Sequence, residues 1–173
     1  MDSHAVFDVG GVVIFFDLDG VIRDLCGVSE NPPDDWALRI VGLPFSQYID
    51  ENLSVLTEAR PTKYYEAIAA HSRELTIISH QREHWRALTS EWLARHFKEN
   101  EVTVIYTPRG GDCKMEFLKE GDFIVEDYPF FSDYSRVILI DYPYNRHNRL
   151  PAARVTSPAE LTRAMEGRRN NIQ

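Results

Sequence analysis

Five consecutive apolar residues, Val12-Val13-Ile14-Phe15-Phe16, stop abruptly at Asp17-Leu18-Asp19-Gly20. A run of β-branched and aromatic residues with no polar alternation has no solvent face, so it suits a strand buried on both sides, as in a parallel sheet. Shorter apolar runs recur at Leu75 to Ile78, Val102 to Tyr106, Phe123 to Val125 and Val137 to Ile140, and helical patterns lie between the later ones. That alternation predicts a parallel α/β sheet. The clearest helix is Arg82 to Phe97, where Trp85, Leu88, Trp92, Leu93 and Phe97 recur at helical spacing.

Between Ile22 and Glu74 the strand pattern disappears. Asp34 to Gly42, Phe45 to Leu56 and Pro61 to Ser72 each read as a helix, with Pro32, Pro33, Pro44 and Pro61 at or near the starts. The expected organisation is a core of residues 1–21 and 75–167, a small helical insertion at 22–74, and a polar, frayed tail at 168–173. An insertion there can close over a site at the carboxyl ends of the strands, where open α/β sheets place their ligands.

Composition narrows the partners. The 173 residues are 43% hydrophobic and 27% charged, enough for one substantial core. A formal net charge of -8 repels a long nucleic acid but tolerates a small phosphorylated molecule. Two cysteines, Cys26 and Cys113, make no disulfide framework. No apolar run approaches the roughly 20 residues that span a bilayer, and no basic stretch with an apolar h-region opens the chain. A cytoplasmic protein without membrane contact is therefore expected.

Four features fall at predicted strand ends or just before a helix: Asp17 with Asp19, then Ser79, then Lys114, then Glu126 with Asp127. Carboxyl ends of parallel strands share one sheet edge, so these distant residues are expected to meet. Two aspartates one residue apart can hold a hard cation while one attacks phosphorus to give an aspartyl-phosphate. Asp19 is placed to protonate the leaving oxygen and then to deprotonate water. Lys114 offers a point charge, Ser79 a hydroxyl donor and Asp127 a second metal carboxylate. Taken singly, each has a plainer role: a turn for Asp-Leu-Asp-Gly, a helix cap for Ser79, a solvated lysine, a loop acid pair.

The ordered set resembles the haloacid dehalogenase superfamily of phosphohydrolases. The matching pieces are FFDLDGV at 15–21, Ser79 of LTIISH, the pre-helical Lys114 and the acidic pair of FIVEDYP. EWLARHF at 91–97, the spacing of Lys114 before GDFIVED, and IDYPYNR at 140–146 make it similar to the 5'-nucleotidase branch that contains deoxyribonucleotidases. The likeness runs from Val12 to about Arg149. It implies a Rossmann-like three-layer parallel sheet with a small helical cap after the first strand. It also implies Mg2+ and the following roles: Asp17 as nucleophile, Asp19 as acid/base and, through its carbonyl, metal ligand, Asp127 as metal ligand, Ser79 and Lys114 as phosphate binders. The implied substrate is a nucleoside monophosphate, with sugar phosphates, other small phosphomonoesters and nucleic-acid ends as alternatives. Glu126 stands where that branch usually has aspartate, and His80-Gln81 replaces a proline-containing turn.

Other features compete with this set. Phe7-Asp8-Val9-Gly10-Gly11-Val12 also looks like a first motif but lacks the second aspartate. His80 and His84, four apart on an expected helix, lack a third ligand for zinc. Trp36, Tyr48, Tyr64 and Tyr65 are candidates to stack on a base. Asp141, Asn145 and Arg146 read as a turn fixed by Pro143. A receiver domain would have its acidic pair first and its lysine last, which is not the order here, and a non-catalytic phosphoryl-binding protein would not need every chemical group retained.

Overall fold

The computed structural model describes residues 11–27, 29–36, 39–40, 42–148 and 151–169. The chain begins with β1 (Ile14–Phe16) and β2 (Arg23–Asp24), then β3 (Arg39–Ile40) and β4 (Leu43–Pro44). Helices α1 (Phe45–Glu51) and α2 (Val55–Glu58), strand β5 (Arg60–Pro61) and helix α3 (Tyr65–His71) complete the segment before the second long strand. There follow β6 (Glu74–His80), α4 (Arg86–His96), β7 (Glu101–Thr107), α5 (Asp112–Met115), β8 (Phe123–Glu126), β9 (Val137–Ile140), β10 (Ala153–Val155) and α6 (Pro158–Arg169).

Among the described residues, six strands form one sheet in the order β10-β9-β8-β1-β6-β7, every neighbouring pair parallel. The chain moves from β1 to β6 and β7 on one side, then crosses to β8, β9 and β10 on the other. The reversal at β1 is the point where such sheets open a crevice at their carboxyl edge.

The strands alternate between two cores. Ile14, Phe16, Ile77, Val125, Ile138 and Ile140 face one cluster with Ile68 of α3, Trp92 and Leu93 of α4, and Leu161 and Met165 of α6. Phe15, Ile78, Ile124, Val137 and Leu139 face the other. Both faces are thus dry, which is why β1, β8 and β9 carry unbroken apolar runs. The second face is covered by Met115, Leu118, Tyr128, Phe131 and Tyr134, from α5 and the loops around it. No helix joins β8 to β9.

The insertion differs from its expected form. The predicted helix at 34–42 is replaced by the antiparallel pair β3–β4, because Gly42 adopts φ 79 and turns the chain back after Ile40. The predicted helix at 45–56 breaks at residues 52–54 into α1 and α2, and α3 begins at Tyr65 rather than Pro61. Pro61 instead belongs to β5, which pairs with β2. Strand β10 went unpredicted; of its three residues only Val155 is buried, and its Arg154 donates to Asp141 at 2.7 Å. The expected tail at 168 is helical as far as Arg169, with the Arg168 guanidinium 4.7 Å from the Phe123 ring centroid. Residues 170–173 and the upstream motif at 7–10 lie outside the described residues.

Trp92 joins the insertion to the core. It has no solvent exposure, and its indole N–H donates to Ala59 O at 2.7 Å. Trp92→Ala is expected to cost about 3–5 kcal/mol through the cavity it leaves. Trp92→Phe, which keeps most of the ring but leaves the Ala59 carbonyl without its donor, should cost about 1–3 kcal/mol. Denaturant unfolding of the two variants checks the ranking.

Candidate active site

Asp17 follows the last residue of β1, and its backbone N–H donates to Val125 O at 2.9 Å, continuing the ladder toward β8. Glu126 ends β8 and Asp127 follows it. Adjacent parallel strands therefore deliver three carboxylates to one edge, all buried. One oxygen from each lies within 4.8 Å of one from each of the others.

One ammonium sits among them. Lys114 Nζ donates to Asp17 Oδ1 at 2.6 Å and to Glu126 Oε1. The lysine lies inside α5 rather than before a helix, and its side chain is 4% exposed. Glu126 Oε2 accepts the backbone N–H of Asp127 at 2.9 Å and of Tyr128 at 3.0 Å, so this longer acid anchors both Lys114 and the start of the next loop.

Charge in this cluster is frustrated. Burial raises the Asp17 pKa from 3.8 to about 7, aided by repulsion from Glu126 and opposed by Lys114. Burial also holds Asp127 well above the ordinary carboxylate range, with Glu126 and Asp17 adding to the effect. For Lys114 burial acts downward, but Asp17 and Glu126 outweigh it and the net shift is upward. A hard divalent cation with oxygen ligands suits such a set, since it supplies the positive charge that one lysine does not.

The surroundings fix Asp127 closely. Tyr144 donates to Asp127 Oδ2 at 2.5 Å, and Asn145 Nδ2 donates to Asp127 O at 2.9 Å and to Ile140 O at 2.8 Å. Gly20 has φ 87, and a Cβ there would stand 2.1 Å from Asp127 Oδ2. The glycine of the Asp-Leu-Asp-Gly motif is thus required twice over, by conformation and by the carboxylate packed against it.

These groups open into a cavity of about 410 Å³. Asp17, Asp19, Ser79, Lys114, Glu126 and Asp127 all line it, so the six residues of the ordered set reach one space. Ser79 caps no helix; its Oγ accepts from Gln81 Nε2 at 3.3 Å. The Asp19 side chain accepts from Arg23 Nε at 2.7 Å and from Gln81 Nε2 at 2.6 Å.

The aromatic candidates separate. Trp36 lines the cavity, edge-on to Tyr128 at 5.4 Å between ring centroids. Tyr64 is core at 1% exposure, Tyr65 donates to His96 O at 2.6 Å, and Tyr48 packs beside Ile49 and Leu56. Arg82 and Trp85, which read from the sequence as parts of one helix, also line the cavity, as do Phe45 and Tyr128, which were not singled out. Neither were Tyr144 and, as a support for Asp127, Asn145; their available signal was their place just past the end of β9, on the same sheet edge. The 3-10 turn Pro143–Asn145 matches the turn expected at Pro143. His80 and His84 do not share a helix: His80 lies in β6 with Nδ1 3.0 Å from Thr107 O, and His84 Nε2 is 2.9 Å from Asp50 Oδ1.

A scan against models of known protein families found no match to this chain, and a search of curated proteins found none. The site is consequently read from its own geometry. Among the described residues no helix is long and apolar enough to cross a membrane.

Gly20→Ala is the sharp test of this packing. Forcing a methyl against Asp127 at positive φ is expected to lower stability by about 1–3 kcal/mol. Thermal unfolding of the variant beside the parent measures the effect.

Proposed function

We propose that the chain is a magnesium-dependent phosphomonoester hydrolase that works through an aspartyl-phosphate on Asp17. The observation that carries the reading is the Asp17 carboxylate at the carboxyl end of β1, held by Lys114 inside a buried acidic trio that lines a cavity. The resemblance of FFDLDGV, Ser79, Lys114 and FIVEDYP to the haloacid dehalogenase superfamily supports it, as does the order of these pieces on a parallel sheet. In that scheme residues 22–74 are the cap.

The residues divide the work by position. Asp17 attacks phosphorus, and Lys114 at 2.6 Å orients it and offers charge to the phosphoryl oxygens. Ser79 offers its hydroxyl to the same oxygens. Asp17, Asp127 and the neighbouring Asp19 carbonyl would hold Mg2+, with Glu126 behind them; the ion would neutralise phosphate charge that otherwise repels the nucleophile. Asp19 serves as acid for the leaving oxygen and then as base for water.

A nucleoside monophosphate is the favoured substrate. The cavity volume falls within the roughly 300–1,000 Å³ of small-molecule sites. Its walls include Trp36, Phe45, Trp85 and Tyr128, which suit a flat base, and Arg82. A net charge of -8 disfavours long nucleic acid.

Phosphate release from ribo- and deoxyribonucleoside monophosphates, sugar phosphates and an aryl phosphate, with Mg2+ or with chelator, tests the class and the substrate together. Release should require Mg2+ and favour nucleotides. Asp17→Asn should lose at least about 1,000-fold in kcat. It should still fold, because it removes one of three mutually repelling buried acids and leaves Lys114 with Glu126. Wild-type turnover in folded Asp17→Asn protein would remove the nucleophile, and no release by wild type from any substrate would sink the phosphatase reading.

A further inference from the structure

Arg23 has no solvent exposure. A guanidinium so placed needs a counter-charge and acceptors for its donors. Its Nε donates to Asp19 Oδ1 at 2.7 Å and its Nη2 to Asp19 Oδ2 at 3.1 Å, a two-pronged contact that fixes orientation as well as position. Its Nη1 donates to Leu56 O at 2.9 Å and to Thr89 Oγ1 at 3.2 Å. Trp92 lies against it, with 5.7 Å between the guanidinium carbon and the ring centroid.

Gln81 grips the same carboxylate from another element. Its Nε2 donates to Asp19 Oδ2 at 2.6 Å, while Thr89 donates to its Oε1 at 3.0 Å and so sets which way the amide faces. The turn geometry is fixed too, since Gly20 N donates to Arg23 O at 2.9 Å. Exposed pairs at this spacing are worth little. This one has a fully buried arginine and a carboxylate 21% exposed where it lines the cavity.

We propose that Arg23 is a positioning residue, with Gln81 as its partner, and that it aims the Asp19 carboxylate for both proton transfers while tying it to the insertion through Leu56 O. The inference rests on the phosphatase reading. In the first half-reaction a carboxylate oxygen of Asp17 bonds to phosphorus as the ester P–O bond breaks; the ester oxygen keeps the electron pair and takes a proton from Asp19. In the second, a water oxygen bonds to phosphorus, Asp19 takes a water proton, and the bond from phosphorus to Asp17 breaks with its electron pair returning to the Asp17 carboxylate. A misaimed Asp19 still permits the first step when the leaving oxygen needs no proton, as with 4-nitrophenolate. It obstructs the second step for every substrate.

Two variants separate aim from architecture. Arg23→Lys keeps the charge but loses the fork, and Gln81→Met removes one donor while leaving the buried pair intact. Rapid mixing with 4-nitrophenyl phosphate and Mg2+ should show a burst approaching one nitrophenol per Asp17, larger than in wild type, followed by turnover slowed about 10–100-fold. KM for a nucleoside monophosphate should stay within about threefold of wild type while its kcat falls. If Arg23→Lys does not fold, Gln81→Met carries the test. Wild-type kcat in the folded variants, or slowing without a burst and with raised KM, overturns the positioning role alone. A wild-type protein that releases no phosphate takes down both this inference and the reading beneath it.

Discussion

The ammonium of Lys114 between Asp17 and Glu126 is the interaction on which the rest of the site depends. Three buried acids at one sheet edge repel one another, and desolvation makes each costly in its charged form. A single lysine, itself buried, makes their proximity tolerable by contacting two of them at once. It also fixes where α5 must lie, because the side chain has to reach across from that helix to the ends of β1 and β8. The sheet order follows the same logic: only with β8 beside β1 can Glu126 and Asp17 share one partner.

The insertion shares the main core through Tyr64 and Ile68, and polar contacts fix how it sits there. Trp92 meets the Ala59 carbonyl, and Asp50 of α1 accepts from Trp85 Nε1 at 2.7 Å and pairs with Arg82. A second apolar cluster joins Leu25, Ile49 and Leu56 of the insertion to Trp85, just before α4. Directional bonds of this kind specify one placement, whereas apolar contact alone would tolerate sliding.

The parts of the fold that were legible in the sequence are those whose physics is local. Short, mostly apolar runs marked five of the six strands of the main sheet, and the 3.6-residue period marked α4. Strand β10 was hidden because its Arg154 has a polar task and its pairing with β9 is remote in sequence. The β3–β4 turn was misread because Gly42 near the end of an apparent helix also suits a helix stop. Within the site, Asp17, Ser79, Lys114 and Asp127 could be picked out because strand ends converge. Tyr144 and Asn145 could not, since their contacts with Asp127 depend on how a turn past β9 folds back. The partnership of Arg23 with Asp19 was likewise invisible, because the burial of an arginine is decided by what surrounds it in space.

The connection from β8 to β9 has no helix, and the loop that stands in its place performs two tasks. Phe131 and Tyr134 seal the second face of the sheet, while Tyr128, bonded to Tyr134 through its carbonyl at 3.3 Å, walls the cavity. Displacing that wall would wet the hydrophobic interior behind it. The rim built from the loop after β8 is thus anchored, and Trp36 of the insertion abuts it edge-on, so a movement of the insertion that opened the pocket would part Trp36 from Tyr128 and leave the second face of the sheet covered.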